Sequence, residues 1–152
     1  MIDFEEVCKK ETPSIVVVAG DVNSTIACAL VAKKLSIPVG HVEAGLRSFD
    51  MEMPEEVNRI LCDHISTLLF CPTQTSVNNL KEEGITRGVE YVGDIMYDGI
   101  LYYKEKANST ILDYLCIEPS NYILATVHRS RKHRQSDSIK SHLPHLGRYS
   151  SF

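Results

Sequence analysis

The chain has 152 residues, of which 43% are hydrophobic and 24% are charged, and its formal net charge at pH 7 is −4. This length supports one domain with a hydrophobic core, and the acidic balance argues against nucleic acid as the main partner, because phosphate binding usually shows as a basic excess. No apolar run reaches the roughly 20 residues of a membrane span, and the acidic N-terminus lacks the layout of a signal peptide. We therefore expect a cytoplasmic protein that binds neither nucleic acid nor a membrane.

The five cysteines, at positions 8, 28, 62, 71 and 116, form no CxxC pair and have no histidine at a metal-cluster spacing. In a reducing cytosol they are expected to be free thiols that pack as small apolar side chains. The sequence therefore predicts neither a metal site nor a disulfide framework.

Helices and strands alternate along the chain, with apolar residues at helical spacing in the former and β-branched runs in the latter. In chain order the pattern predicts a helix over 3–10, a strand over 14–20, a turn at 21–25 leading into a helix to about residue 36, a strand over 37–43, a loop over 46–54, a helix over 54–65, a strand over 67–71, a helix over 74–83, a strand over 89–93, a helix over 96–107 and a strand over 122–127.

This alternation predicts right-handed βαβ units and a doubly wound, Rossmann-like parallel sheet in an α/β fold. The continuous β-branched run at 14–20 is typical of a strand buried on both faces. Ligands of such sheets bind at the carboxyl ends of the strands. Asp21, Glu43 and His128 each follow or end a predicted strand, so we expect them at one edge of the sheet.

The turn that begins with Gly20 and Asp21 has two interpretations. It is a plain helix-capping turn, or its free backbone N–H groups hold an anion. Asp21 would repel a phosphate, so we expect its carboxylate to face a sugar hydroxyl or a cationic side chain. There is no GxGxxG and no GxxxxGK[ST] motif, which excludes the usual dinucleotide and P-loop signatures.

His41 and Glu43 are two residues apart on a predicted strand and are expected to share one sheet face. A carboxylate there must be paired or must line a cleft, because bare burial costs too much. An ion pair with Arg47 or Arg59 and a catalytic role are equally compatible with the pattern.

Two further groups have both a structural and a chemical interpretation. Glu55 and Glu56 open a helix, where acids are expected, and Glu55 is spaced for an i,i+4 pair with Arg59. His128 and Arg129 directly follow a predicted strand. They suit a diphosphate leaving group, which needs charge neutralisation and a proton donor, or they are an ordinary surface pair.

Five segments together resemble the UDP-N-acetylglucosamine 2-epimerases in their order and spacing. They are Gly20-Asp21 with Ser24-Thr25, the stretch HVEAGLRS at 41–48, the stretch PEEVNR at 54–59, Val92-Gly93-Asp94, and the stretch TVHR at 126–129. The resemblance runs from about residue 7 to residue 129, and the pair HVEAGLRS and PEEVNR is specific to this family.

The resemblance implies a partial GT-B architecture, in which a nucleotide sugar binds between two Rossmann-like domains. It implies inversion at C2 of UDP-N-acetylglucosamine through elimination and re-addition of UDP, with no cofactor and no metal. The residues it implicates in catalysis are Asp21, Glu43, Glu55 and His128. The candidates for substrate binding are Ser24, Thr25, Arg47, Arg59 and Arg129.

The chain also departs from the family pattern. Residues 1–110 are expected to form part of the N-terminal domain without its first strand and glycine-rich turn, and residues 111–129 the start of the second domain. Residues 130–152 contain six Ser, three His and five Lys or Arg but one acid, Asp137. A basic nucleic-acid arm is one interpretation, and we favour an out-of-frame tail, which the coding DNA around codon 130 would reveal.

We therefore expect an inactive fragment of an isomerase that acts on UDP-N-acetylglucosamine. A hydrolysing relative and a non-catalytic nucleotide-sugar binding module are the alternatives, and a GT-B glycosyltransferase is a more distant one. A sheet that lacks its first strand has an uncovered edge, which can recruit another chain. A homodimer is the predicted oligomeric state.

Overall fold

The computed structural model describes residues 1–107 and 110–126, and the chain divides into two compact units, Met1–Ala107 and Asn108–Phe152. The elements of the first unit are α1 (Ile2–Glu11), β1 (Val16–Ala19), α2 (Asn23–Lys34), β2 (Val39–Val42), α3 (Pro54–Ile65), β3 (Leu68–Cys71), α4 (Gln74–Glu82), β4 (Val89–Tyr91) and α5 (Ile95–Lys104). The described part of the second unit contains α6 (Thr110–Leu115). No helix within the described ranges is both long and apolar enough to cross a membrane.

Local sequence signals set the helix boundaries. Helix α1 ends at Glu11, and its C-cap Thr12 adopts the left-handed conformation just before Pro13. Helix α3 begins with a proline and two acids, the arrangement that its N-terminus favours. Thr73 and Asp94 cap α4 and α5 by accepting hydrogen bonds from backbone N–H groups of the first turn. The predicted elements of the first unit are therefore confirmed to within a few residues.

The four strands form one parallel sheet in the order β1-β2-β3-β4. The predicted Rossmann-like α/β architecture is confirmed. The register places Val18 opposite His41 and His41 opposite Leu69. Partners in parallel register point to the same side of the sheet, so these three side chains lie on one face.

That face, which we call the covered face, is buried beneath helices. Helix α2 contacts β1 and β2, α3 contacts β2, and α4 contacts β3 and β4. The core consists of two groups: Cys8, Val16, Val18, Ala29, Ala32, Val39 and Cys62 under α1, α2 and α3, and Ala44, Leu69, Cys71 and Leu80 under α4.

The opposite face, which we call the open face, carries alternate residues of the same strands. Val17 is 59% exposed, Ala19 is exposed, and Val42, Leu68 and Phe70 are only partly buried. The predicted burial of β1 on both faces is therefore wrong for the described residues. The reason is topological: right-handed crossovers that always step in the same direction place their helices on the same side.

The second unit differs from the prediction at its predicted strand. Residues 122–126 have no strand, and Ile123 and Leu124 are more than 80% exposed. A β-branched pattern becomes a strand only where a neighbour accepts its ladder hydrogen bonds, and the described residues provide none here. Val127, the last residue of the predicted strand, lies outside the described ranges, and the helix α6 was not predicted.

Candidate active site

Asp21 lies directly after β1, at the carboxyl end of the sheet. Its carboxylate forms an ion pair with Nη2 of Arg59, while Arg59 Nη1 donates to Glu56 at 3.0 Å. Asn58 donates to the backbone oxygen of Asp21 at 2.8 Å. Of the two expected partners, a cationic side chain is the one that the structure shows. Arg59 is therefore held between two carboxylates, and it orients Asp21.

Glu43 follows β2 and has a left-handed backbone, with φ of 69°. The strand ends at Val42, so Glu43 does not share a face with His41, and that prediction is wrong. The turn of the backbone carries the carboxylate towards the neighbouring strand end: a Cβ placed on Gly20 would lie 3.8 Å from Glu43 Oε2. Such a conformation is costly for a non-glycine residue, and it is typical of functional positions.

The Glu43 carboxylate has no hydrogen bond or ion pair within residues 1–107 and 110–126, although its side chain is half-buried. It lines a cavity of about 320 Å³ on the open face. Val42 and Phe70 form the floor of this cavity, and Ile95 and Asp98 of α5 form one wall. A half-buried, unpaired carboxylate in a cavity can accept or deliver a proton to a bound molecule.

Glu55 and Glu56 at the start of α3 have different surroundings. Glu56 is buried and accepts hydrogen bonds from the backbone N–H groups of Ser48 and Phe49, both at 2.9 Å. Burial acts to raise the pKa of Glu56, but these hydrogen bonds and the charge of Arg59 lower it below its usual range. Glu55 is half-buried and has no partner in the described part of the chain. The expected Glu55–Arg59 pair is replaced by Glu56–Arg59.

The two hydroxyl residues of α2 are placed differently. Thr25 is buried, and its Oγ1 donates to the backbone oxygen of Ala19 at 2.8 Å, which ties the helix to the end of β1. Ser24 is exposed in the first turn of a helix that has no side-chain cap. Ser24, three residues after Asp21, is therefore accessible to solvent. The Thr25 hydroxyl is instead used in a hydrogen bond within the fold.

Arg47 is not brought to the cavity. Its side chain is 1% exposed, and it donates to Asp63 at 2.7 Å and to both oxygens of Glu83 at 2.6 and 2.8 Å. A fourth bond runs to the backbone oxygen of Leu46. The Arg47 guanidinium therefore links its own loop to α3 and to the end of α4. His128 and Arg129, predicted for the diphosphate, lie outside the described residues.

Sequence reasoning missed Asp63, which is the centre of a buried polar cluster. Its carboxylate accepts from His41 Nδ1 at 2.6 Å, from the backbone N–H of Gly45 at 3.0 Å and from Arg47. The other ring nitrogen of His41 lies 2.9 Å from the backbone oxygen of Gly20. An acid in the last turn of an amphipathic helix looks like a solvated residue, and only its contact with His41 in the fold reveals its role.

Sequence comparisons with known proteins assign the chain to one family. The sequence model described as UDP-N-acetylglucosamine 2-epimerase matches residues 1–151. A UDP-N-acetylglucosamine 2-epimerase homolog of Methanococcus maripaludis is 54% identical over 94% of this chain. A UDP-2,3-diacetamido-2,3-dideoxy-D-glucuronate 2-epimerase of Pseudomonas aeruginosa is 48% identical over 86% of it.

A solved structure gives the same result. The crystal structure of the UDP-GlcNAc 2-epimerase of Methanocaldococcus jannaschii, in complex with UDP-GlcNAc and UDP, aligns with a TM-score of 0.82 at 43% identity over 94% of this chain. The chain spans about 40% of the length of that protein and of the Methanococcus maripaludis relative. The matched span of the family includes most of residues 130–152, whose out-of-frame origin stays a prediction.

Proposed function

Because the chain belongs to the UDP-N-acetylglucosamine 2-epimerase family, we propose that it carries proton-transfer groups of a site that inverts C2 of UDP-N-acetylglucosamine to give UDP-N-acetylmannosamine. The observation that carries the proposal is Glu43. Its carboxylate is half-buried, unpaired in the described residues, held in a costly backbone conformation and directed into a cavity at the carboxyl end of the sheet. These features suit a group that meets a substrate better than one that stabilises the fold.

The reaction needs a base, a leaving group and a second proton transfer. A carboxylate removes the proton from C2 while the C1–O bond breaks, so the C–H electron pair forms a C1=C2 double bond and the C1–O pair leaves with UDP. The UDP oxygen then re-adds to C1 while a proton reaches the other face of C2. Glu43 and Glu55, which lack partners in the described part of the chain, are the proton-transfer groups, and Asp21 is oriented by Arg59.

The remaining residues complete the proposal. His128 and Arg129, from the matched motif, would neutralise the departing diphosphate. Ser24 is accessible to the substrate, and no cofactor or metal is required by this scheme. The partner is accordingly a UDP-sugar with an N-acyl group on C2.

A second substrate is favoured by one comparison. The Pseudomonas aeruginosa relative acts on a 2,3-diacetamido glucuronate sugar, which shares the uridine diphosphate and the 2-acetamido group with UDP-N-acetylglucosamine. Hydrolysis of the substrate to UDP and free N-acetylmannosamine is the alternative outcome, and a binding module without catalysis is a further one.

A chimera tests the proposal. Residues 13–94 of this chain replace the matched segment of the Methanocaldococcus jannaschii relative, and the product is followed by proton NMR in D2O with either sugar. We expect the epimer with deuterium at C2, and a loss of about 100-fold or more in kcat for Glu43→Gln. Glu82→Gln, at the exposed end of α4, is the matched control. Full activity of Glu43→Gln would refute the proposal, and stoichiometric UDP release would favour the hydrolysing alternative.

We also propose that the chain self-associates as a dimer. Strand β1 has β2 on one side and no strand on the other within the described residues, and Val17 beside that edge is 59% exposed. An unpaired strand edge can pair with another chain. Sedimentation velocity should give a dimer or a larger species, and a monomer at all concentrations would contradict this.

A further inference from the structure

We propose that His41 is a positioning residue that carries a positive charge at neutral pH and, together with Asp63, fixes the turn that bears Asp21 and the loop that bears Glu43. The inference rests on the proposed function only in treating Asp21 and Glu43 as site residues. The charge and its structural effect can be tested without substrate.

Both ring nitrogens of His41 lie within hydrogen-bond distance of an oxygen atom. Nδ1 of His41 lies 2.6 Å from an Asp63 carboxylate oxygen, and Nε2 lies 2.9 Å from the backbone oxygen of Gly20. Both partners act as acceptors: the Gly20 oxygen is a carbonyl, and the Asp63 carboxylate also accepts from the Gly45 N–H and from Arg47. A neutral imidazole has one N–H, so one nitrogen would face an oxygen lone pair with a lone pair of its own. Only the doubly protonated ring satisfies both contacts, and the side chain is 0% exposed, so water cannot substitute.

The charges around His41 also favour a protonated ring. His41 and Arg47 supply two positive charges, and Asp63 and Glu83 supply two negative charges, in one connected cluster. The groups that face the ring are Asp63 and the Cys62 thiol from α3 and the Gly20 carbonyl just after β1, with Arg47 on the far side of Asp63. A neutral ring would leave the fully buried Asp63 carboxylate to share the single charge of Arg47 with Glu83, which is unfavourable for a buried ion.

The pKa of His41 agrees with this geometry. Burial by itself lowers the pKa of an imidazole, but the hydrogen bond to Asp63, the adjacent Cys62 sulfur and the charge of Asp63 together outweigh burial and raise the pKa of His41 to about 10.

The pair His41–Asp63 connects the buried charge to the segments that bear Asp21 and Glu43. Gly20 immediately precedes Asp21, and Gly45 follows Glu43 by two residues, so the pair His41–Asp63 holds both segments. The backbone oxygen of Gly45 is held independently by Asn79 at 2.9 Å. Glu43 needs such restraints, because a left-handed glutamate persists only where its neighbours fix the backbone. His41 therefore acts through the backbone and does not itself reach the cavity.

The charge is tested on the 152-residue chain, labelled with ¹⁵N-histidine and followed by NMR between pH 6 and 9. We expect both ring nitrogens of His41 to retain their protons throughout, while the same chain in 8 M urea titrates near about 6.5. Loss of its signals in His41→Gln assigns the ring; if that variant does not fold, replacing the other five histidines in turn assigns it by elimination. A ring with one unprotonated nitrogen at pH 8 would overturn the proposal.

The positioning role is tested by hydrogen exchange of two amides that touch neither His41 nor Asp63. Gly20 N–H donates to Val42, and Ala44 N–H donates to Phe70. In Asp63→Asn we expect both to exchange at least tenfold faster, while Leu69 in β3 keeps its protection. Glu83→Gln, which alters the cluster on the far side of Arg47, is the matched control and should leave both amides unchanged.

The positioning role can also be measured by NMR on the wild-type chain, without a variant. In the wild-type chain above pH 9, the amide resonances of Gly20 and Ala44 should shift together with the ring nitrogens of His41. Unchanged protection in Asp63→Asn, or ring deprotonation without an amide shift, would show that His41 is a buried charge with no positioning role.

Discussion

The two faces of the sheet do different work although they are built from alternate residues of the same strands. The covered face contains apolar residues and the charge cluster around Asp63. Every buried side-chain nitrogen and oxygen of the described residues has a hydrogen-bond partner. The open face leaves Val17, Val42 and Phe70 partly or largely exposed beside the cavity that Glu43 and Asp98 line. Stability therefore depends mainly on the covered face, and chemistry is proposed at the edge of the open one.

The largest expected effect comes from breaking the charge cluster on the covered face. Asp63→Ala leaves His41 and Arg47 as buried cations without their shared partner, and we expect a loss of about 3–5 kcal/mol in the free energy of unfolding. Urea unfolding monitored by circular dichroism measures it. Glu5→Ala removes an exposed ion pair with Lys9 and should leave the urea midpoint nearly unchanged. Equal effects in the two variants would mean that burial of the cluster does not matter.

The tight approach of the Glu43 loop to α4 is tested by a glycine pair. A Cβ on Gly45 would lie 2.4 Å from the backbone oxygen of Ser76, whereas a Cβ on Gly84 would meet nothing within 4 Å, and both glycines have positive φ. We expect Gly84→Ala to cost about 1–2 kcal/mol from backbone strain alone. Gly45→Ala should cost about 2–4 kcal/mol, since crowding adds to the same strain. Equal losses in thermal unfolding would exclude the crowding.

The pH dependence of stability tests whether His41, on the covered face, is charged in the folded chain. The folded pKa of His41, about 10, lies above its unfolded value of about 6.5, so the folded chain binds one more proton between these values. This contribution to stability is complete below about pH 6.5 and is lost as the pH rises towards 10. The free energy of unfolding should fall by about 1.4 kcal/mol per pH unit between pH 7.5 and 9.

His41→Gln is the control for that slope. It removes the titrating ring, so urea unfolding at the two pH values should give nearly equal free energies. A wild-type chain whose stability is flat over this range would show that the ring is neutral in the folded state.

The smallest expected effect compares neighbouring residues of β1 directly. Val18 is 8% exposed on the covered face, and Val17 is 59% exposed on the open face. Val18→Thr buries a hydroxyl and should cost about 1–3 kcal/mol, whereas Val17→Thr should lie within about 0.5 kcal/mol of the wild type. A substantial loss for Val17→Thr would indicate that the open face is covered in solution.

Much of the fold was predictable from local signals. The β-branched runs, Pro54, and the caps of the later helices each act within a few residues, so the parallel α/β sheet and its elements follow from the sequence. The exposure of the open face does not follow from the sequence, because Val17 and Val18 belong to the same β-branched run. Which of them is buried depends on the order in which strands add to the sheet, a property of the whole topology.

The site was predictable in its residue types and less so in its contacts. Asp21 was expected to face a sugar hydroxyl or a cation, and it pairs with the cation Arg59. Glu56 takes Arg59 although Glu55 has the more favourable sequence spacing, because the loop at Ser48 fixes Glu56 in place. The separation of His41 from Glu43 follows from a left-handed backbone at a glutamate, which no residue preference indicates.

That left-handed glutamate has a consequence for anyone who selects variants of this chain by heat or protease resistance alone. Glycine or asparagine at position 43 would relax the backbone, by about 1–3 kcal/mol for a residue held in this region, and both would survive such a screen well. Each would also lack the carboxylate in the cavity. A library ranked on robustness would therefore tend to discard the residue on which the proposed chemistry depends, and selection on this scaffold needs a second, chemical criterion from the first round.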